Sequence, residues 1–100
     1  MTTVGKDLLR NWLEMAVKAY VLINVDTPLT RETLESLSRL PHVMEVNELL
    51  GPYDAVVEFE VEEFDQVAEV LRREIRTVPG VRSTVTCVAI GAGFRGGHQG

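Results

Sequence analysis

The chain has 100 residues, of which 45% are hydrophobic and 25% are charged, and its formal net charge is −5. A chain of this length can bury one hydrophobic core but not two, so we expect a single globular domain. The acidic balance argues against general attraction to a nucleic-acid backbone, which depends on clustered lysines and arginines. Direct binding to nucleic acid is therefore not expected.

The cysteine content and the hydropathy of the sequence favour a cytoplasmic protein. Cys87 is the single cysteine, which excludes an internal disulfide and a cysteine-based zinc site and suits a reducing compartment. Its alternating apolar context predicts a small buried side chain. The sequence has no apolar run of about 18 residues and no signal-peptide pattern, so neither membrane binding nor secretion is expected.

The two ends of the chain are expected to lie outside the folded domain. Residues 1–17 are interpreted as an N-terminal helical extension, with a short amphipathic helix over residues 7–17 whose apolar positions are Leu8, Leu9, Trp12, Leu13, Met15 and Ala16. An alternative is that Met15 is the true translation start. The glycine-dense residues 91–100 are predicted to form a flexible tail.

Residues 18–90 carry strand and helix patterns in the order βαββαβ. β-branched residues and period-two alternation predict strands over residues 18–25, 43–50, 54–61 and 81–90. Leucines at helical spacing predict a first helix that begins at Thr30, as N-cap, and ends at Leu40. A second helix is predicted over residues 63–78, and its apolar positions are Phe64, Val67, Ala68, Leu71 and Ile75.

This order predicts an α+β, ferredoxin-like fold. Two βαβ halves joined by a hairpin give a four-stranded antiparallel sheet with both helices on one face. In the first and last predicted strands, both alternating sets of residues are largely apolar, so the uncovered face of the sheet is not uniformly polar. A mixed face of this kind is usually covered, and we therefore predict that two chains pack through it as a homodimer.

The charged clusters are interpreted as solvent-exposed faces. Five carboxylates between Glu58 and Asp65 follow the exposed phase of a strand and the start of a helix, and they do not resemble a metal-binding loop. Three arginines at the end of the second helix complement the helix dipole: Arg72, Arg73 and Arg76. Glu69 and Arg73 also form an i,i+4 pair.

No catalytic residue, cofactor or metal site is predicted. His42 is the single histidine within residues 18–90, and no nucleophile or phosphate-binding motif accompanies it. An enzyme would have to use His42, Tyr53 or Asp54 for acid–base work without a visible partner.

Two polar features remain as candidates for binding a small molecule. The turn Gly51-Pro52-Tyr53-Asp54 places an aromatic ring and a carboxylate where the third strand begins, and we expect a positive φ at the glycine. Hydroxyl groups also lie near the start of the last strand, on Ser83, Thr84 and Thr86. These hydroxyls either bridge neighbouring strands or orient a small polar ligand.

Four motifs in this order resemble the effector-binding domain of the Lrp/AsnC family of amino-acid-responsive regulators, known as the RAM domain. They are KAYVLINV, a helix ending in Leu-Pro-x-Val, LLGPYDAVVEFEV, and a helix ending in Val-Pro-Gly-Val followed by STVT. The resemblance covers about residues 18–90. It implies a ferredoxin-like domain that dimerises through its sheet, often forms rings of dimers, and binds a small effector, typically an amino acid, where dimers meet. The implied ligand-binding residues are Gly51, Tyr53 and Asp54 in the turn, and Thr84 and Thr86 in the last strand.

Two features distinguish this chain from full-length members of that family. The residues before the first strand are too few for a helix-turn-helix domain, so the chain resembles the stand-alone form of the module. Pro52 has no backbone N–H, so if relatives use that amide to hold a ligand carboxylate, this chain binds differently or more weakly.

The expected function is therefore a stand-alone regulatory module that binds an amino acid or a similar small effector. It would modulate transcription or amino-acid metabolism through its oligomeric assembly, acting on a full-length Lrp/AsnC regulator or a metabolic enzyme. Asp54 is expected to meet the ammonium group of the ligand. Two alternatives remain open: a small dimeric ferredoxin-like enzyme of monooxygenase or isomerase type, and a structural oligomer without a ligand.

Overall fold

One antiparallel sheet and two helices make up the fold. The structure is a computed structural model that describes residues 16–91 and 93–94. The sheet has the strand order β2-β3-β1-β4, and its strands are β1 (Val17–Val25), β2 (Val43–Glu48), β3 (Ala55–Val61) and β4 (Val81–Val88). All three neighbouring pairs are antiparallel. The predicted α+β, ferredoxin-like fold is confirmed.

Each crossover between strands carries one helix. A 3-10 turn, Thr27–Leu29, leads into α1 (Thr30–Ser38), and α2 (Gln66–Val70) continues into a π-helical turn, Leu71–Ile75. No helix among residues 16–91 and 93–94 is both long enough and apolar enough to cross a membrane.

The hydrophobic core lies between the helices and one face of the sheet. Because side chains alternate across a strand, every second residue of the two central strands is buried on this face. These residues are Ala19, Val21, Ile23 and Val25 of β1 and Ala55, Val57, Phe59 and Val61 of β3. Leu37 of α1 and the second helix close the core from the other side. The period-two pattern of residues 54–61 therefore identified the core-facing residues of β3 correctly.

The second helix differs from its prediction in length and in register. Its α-helical part ends at Val70, and the backbone N–H of Arg76 donates to the carbonyl of Leu71 over 2.9 Å, a π-type bond. Such a turn holds one more residue than an α-helical turn, so the residues after it are rotated relative to a regular helix. The buried positions are Val67, Val70 and Ile75, whereas Phe64 and Ala68, predicted to face the core, are exposed. Both exposed residues precede the π-helical turn, and Phe64 also precedes the first helical residue, Gln66.

The starts of α1 and β1 also differ from the sequence prediction. Thr30 is the first α-helical residue rather than the N-cap, because the 3-10 turn precedes it, and its hydroxyl donates to the carbonyl of Thr27 over 2.9 Å. β1 begins at Val17, so the predicted N-terminal helix cannot extend to that residue. The rest of that helix, residues 7–15, lies outside the described residues, as do residue 92 and residues 95–100 of the predicted tail.

The face of the sheet away from the helices, called the open face here, carries a mixed set of side chains. Cross-strand pairing aligns Val56, Leu22 and Val85 in one row, and places Tyr20 opposite Cys87 in the next. Cys87 is exposed in the single chain, so the prediction of a thiol buried in the core is wrong. The reason is that the alternation of β4 directs this residue away from the helices, onto the apolar part of the open face.

Candidate functional site

Asp54 forms hydrogen bonds within the β2–β3 turn and to the end of β1. The backbone N–H of Leu49 donates to the Asp54 carbonyl over 2.9 Å, and the N–H of Asp54 donates to the Ile23 carbonyl over 2.8 Å. The side-chain Oδ2 of Asp54 accepts a 2.9 Å hydrogen bond from the N–H of Val25. The pairing of β1 with β4 shifts register between Asn24 and Val25, so this carboxylate satisfies an N–H at an irregular point of the ladder.

The other two predicted residues of the turn have no comparable contacts. Gly51 is exposed, a Cβ added there would meet nothing within 4 Å, and its φ is not positive. The expected positive φ at Gly51 is therefore wrong; in the described chain Gly80 and Gly91 have that conformation. Tyr53 is half-buried, and neither Gly51 nor Tyr53 lines the cavities described next.

Two cavities lie side by side around the start of β4. The smaller, called the Asp54 cavity, has a volume of about 400 Å³ and is lined by Asn24, Val25, Asp54, Arg82 and Ser83. The larger, called the Arg76 cavity, has a volume of about 600 Å³ and is lined by Leu71, Arg76, Val81, Arg82, Ser83, Thr84 and Thr86. Both volumes are within the range of about 300–1,000 Å³ that is usual for small-molecule sites. Arg82 and Ser83 belong to both cavities and form their common border.

The three hydroxyls of β4 are divided between the two faces of the sheet. Ser83 lies opposite Asn24, and its Oγ accepts a 3.2 Å hydrogen bond from Asn24 Nδ2, so this hydroxyl bridges strands. Thr84 and Thr86 lie opposite Ile23 and Val21, on the helix side. The Oγ1 atom of Thr86 is buried and has no hydrogen-bond partner among the described residues. The structure therefore brings Thr84 and Thr86 together in the Arg76 cavity and leaves Asp54 in the neighbouring one.

Arginines supply the charge of this region, and the sequence prediction missed both of them as site residues. Arg82 Nε lies 3.5 Å from Asp26 Oδ1, at the border of the two cavities. Arg73 pairs with Glu69 at 3.0 Å, as predicted; Arg76 is solvent-exposed, as predicted, but it also lines the larger cavity. The position of Arg82 within VRSTVT, next to three hydroxyls, was the available sequence signal. No comparable signal existed for Arg76, because its direction depends on the π-helical turn.

His42 lies far along the sheet from Asp54. Its Nδ1 is 3.1 Å from Glu74 Oε2, a contact that joins the start of β2 to the π-helical turn. The same imidazole lines a third cavity of about 480 Å³ that also includes Met44, Glu60 and Glu62. The backbone N–H of Glu60 donates to the His42 carbonyl over 3.2 Å, which places this cavity at the opposite end of β3 from Asp54. Within residues 16–91 and 93–94, no three His, Cys, Asp or Glu side chains converge as metal ligands would.

The chain is therefore a ferredoxin-like α+β domain, and two polar cavities lie at one end of its sheet. Residues 18–95 match the family model described as the Lrp/AsnC ligand binding domain. The chain therefore belongs to the Lrp/AsnC ligand-binding domain family, which confirms the family resemblance of its motifs.

Some of the proteins that match this chain are about twice as long as the matched segment, and others are matched over nearly their whole length. An uncharacterized HTH-type transcriptional regulator of Pyrococcus horikoshii is 30% identical over 80 residues, which are 77% of this chain and 53% of that regulator. The chain thus spans about half the length of the curated relatives it matches. A Thermus thermophilus protein of known crystal structure is 30% identical, with a TM-score of 0.73, over 79% of this chain and 99% of that one. AsnC of E. coli shares the fold at 20% identity, with a TM-score of 0.77, over 88% of this chain and 60% of AsnC.

Proposed function

We propose that this domain is a regulatory module that binds an amino acid or a similar small effector. Its family is defined by a ligand-binding domain, and its curated relatives are HTH-type regulators of about twice the matched length. The proposed module acts as a homodimer or a larger assembly of dimers, and its target is a full-length regulator of the same family or a metabolic enzyme.

The observation that carries this proposal is a pair of adjoining cavities whose linings together carry a carboxylate, Asp54, and two guanidinium groups, Arg76 and Arg82. The Asp54 cavity is lined by the Asp54 carboxylate and, where it meets the Arg76 cavity, by the Arg82 guanidinium. An amino acid carries an ammonium and a carboxylate on one carbon atom, so it complements two such groups at once. Asp54 Oδ2 already accepts the N–H of Val25, but a carboxylate has about four acceptor positions, and the remaining ones are sufficient for an ammonium.

The open face supplies the surface through which ligand binding would influence assembly. Leu22, Val56 and Val85 form an apolar row there, and Val85 is 43% exposed in the single chain. A second copy of the sheet would cover this row. An effector that contacts more than one chain favours the associated state by mass action, which would convert effector concentration into oligomeric state.

A thermal-shift screen of the twenty amino acids at millimolar concentration tests the binding proposal. A ligand present at ~10 times its Kd adds about 1.4 kcal/mol to the free energy of unfolding. For a domain of this size that corresponds to a rise of roughly 6–11 °C in Tm. At least one amino acid is expected to produce such a rise.

Asp54→Asn is the informative variant, because the amide retains an oxygen acceptor for the Val25 N–H but removes the negative charge. It is expected to abolish most of the ligand-induced rise in Tm. Asp65→Asn is the matched control, since Asp65 is exposed and its side chain caps no helix. The proposal is wrong if no amino acid raises Tm, or if Asp54→Asn responds like the parent protein.

A further inference from the structure

The Arg76 cavity is a donor-rich and cationic concave surface. Two guanidinium groups and three hydroxyl-bearing residues line it, and no carboxylate does. The remaining lining residues are apolar. A cavity with positive charge and several hydrogen-bond donors is suited to an anion, and the planar guanidinium fork is particularly suited to a carboxylate.

Among the described residues, Arg76 is the cation of this cavity that has no carboxylate partner. Arg82 lies 3.5 Å from Asp26, and Arg73, on the same helical segment, lies 3.0 Å from Glu69. For Arg76, no carboxylate lies within 4.0 Å in the described part of the chain. The π-helical turn holds one extra residue, which rotates Arg76 by about 100° relative to a regular α-helix. That rotation brings Arg76 to the cavity beside β4.

Thr86 provides a second, independent indication of a ligand. Its Oγ1 atom is buried and has no hydrogen-bond partner among the described residues, and Thr86 is one of the residues that line the cavity. Buried hydroxyls are normally hydrogen-bonded, because leaving one without a partner is unfavourable. An oxygen atom of a bound anion would accept this hydroxyl proton.

We propose that Arg76, Thr84 and Thr86 form a carboxylate subsite, and that the effector of this domain is an acidic amino acid or a dicarboxylate of similar size. This inference rests on the proposed amino-acid-binding function and extends it to the class of effector. Among the residues that line the two cavities, Asp54 is the one carboxylate and Arg76 and Arg82 are the two cations; Arg82 also contacts Asp26, so Arg76 is the cation left for a second carboxylate. An amino acid with a second carboxylate presents one positive and two negative groups, whereas a neutral amino acid leaves Arg76 unpaired.

Isothermal titration calorimetry with isosteric ligand pairs tests the subsite on the full chain. L-glutamate is compared with L-glutamine, and L-aspartate with L-asparagine. The acid of at least one pair is expected to bind about tenfold tighter or more than its amide, because a charged hydrogen-bonded pair is formed only by the acid. Arg76→Gln is expected to remove this preference and to leave the affinity for the amide unchanged.

Arg72→Gln is the matched control, because it removes the same charge from an exposed neighbour in the same helical turn that lines neither cavity. It is expected to retain the preference for the acid. Arg76→Lys keeps the charge but not the planar fork, and it is expected to restore part of the preference. Far-ultraviolet circular dichroism and the unfolding midpoint establish that each variant is folded.

Glutarate, which has two carboxylates and no ammonium, separates this inference from the proposed function. Its binding is expected to depend on Arg76 and not on the charge of Asp54. If acid and amide bind equally, or if Arg76→Gln weakens both alike, the subsite is refuted while amino-acid binding stands. If glutarate binds through Arg76 and no amino acid binds, the subsite stands and the amino-acid function is refuted. If none of these ligands binds, both proposals are wrong.

Discussion

Gly80 is a position where an added side chain is unfavourable for two reasons. Its φ is +98°, and a Cβ at this position would overlap Thr33 Oγ1, a buried hydroxyl that donates to the Pro79 carbonyl over 2.9 Å. Gly80→Ala therefore combines an unfavourable φ with a steric clash, and we expect it to lower the free energy of unfolding by more than about 1 kcal/mol. Urea denaturation measures this change.

Gly51→Ala is the control for that prediction, because a Cβ at Gly51 meets nothing within 4 Å and the φ there is not positive. It is expected to leave stability unchanged or to raise it by up to about 1 kcal/mol, since alanine restricts the unfolded chain. Equal effects of the two substitutions would contradict the conformation described for Gly80.

Lys18 gives a prediction about pH. Its Nζ lies 3.4 Å from Glu58 Oε2, and the charges of Glu58 and, secondarily, of Tyr20 raise the pKa of the lysine above its ordinary value of 10.5. A raised pKa in the folded state contributes stability that is complete below pH 10.5 and is lost as the pH rises through the folded-state pKa. The parent protein should therefore be more stable than Lys18→Gln at pH 8, and this difference should shrink above pH 10.5. A constant difference across this range in urea unfolding would show that the pair has no such role.

Strands and helices differed in how well the sequence predicted them. Alternation identified β3 because a central strand that has one face against a core shows a period of two directly in its residue types. The second helix was predicted less well, because its periodicity was interpreted as a regular α-helix, and Phe64 and Ala68 fit that period. A π-helical turn depends on tertiary packing and has no sequence pattern of its own. Asp54 could be singled out from the sequence because turn residues have a recognisable pattern. Arg76 could not, because its direction depends on the π-helical turn.

Substitutions in the second helix and just before it distinguish the observed burial from the predicted one. Ile75 is fully buried and Phe64 is 69% exposed, although the sequence pattern assigned both to the core. We expect Ile75→Ala to lower the free energy of unfolding by about 2–5 kcal/mol, as truncation of a buried aliphatic residue does. Phe64→Ala is expected to change it by no more than about 0.5 kcal/mol. Chemical denaturation of both variants measures the difference, and a larger effect at Phe64 would support the regular helix instead.

At the scale of the whole molecule, the open face is expected to determine the oligomeric state. Val85→Lys places an ammonium in the row with Leu22 and Val56, and burying that charge in an interface is strongly unfavourable. The variant should remain folded, because Val85 is already 43% exposed in the single chain, but should sediment as a smaller species than the parent. Phe64→Lys adds the same charge on the helix side and should leave the sedimentation coefficient unchanged. A parent protein that sediments as a single chain at micromolar concentration would rule out this interface.

The position of Cys87 on the open face gives the protein an intrinsic chemical reporter. It is the one thiol of the sequence, and it lies opposite Tyr20 on the surface that a second chain would cover. A thiol reagent should therefore modify the unassociated chain readily and the assembled form slowly. The rate of modification at a series of protein concentrations would follow association without any introduced probe. An effector that strengthens the assembly would lower that rate, so one sulfur atom reports both ligand binding and its structural consequence.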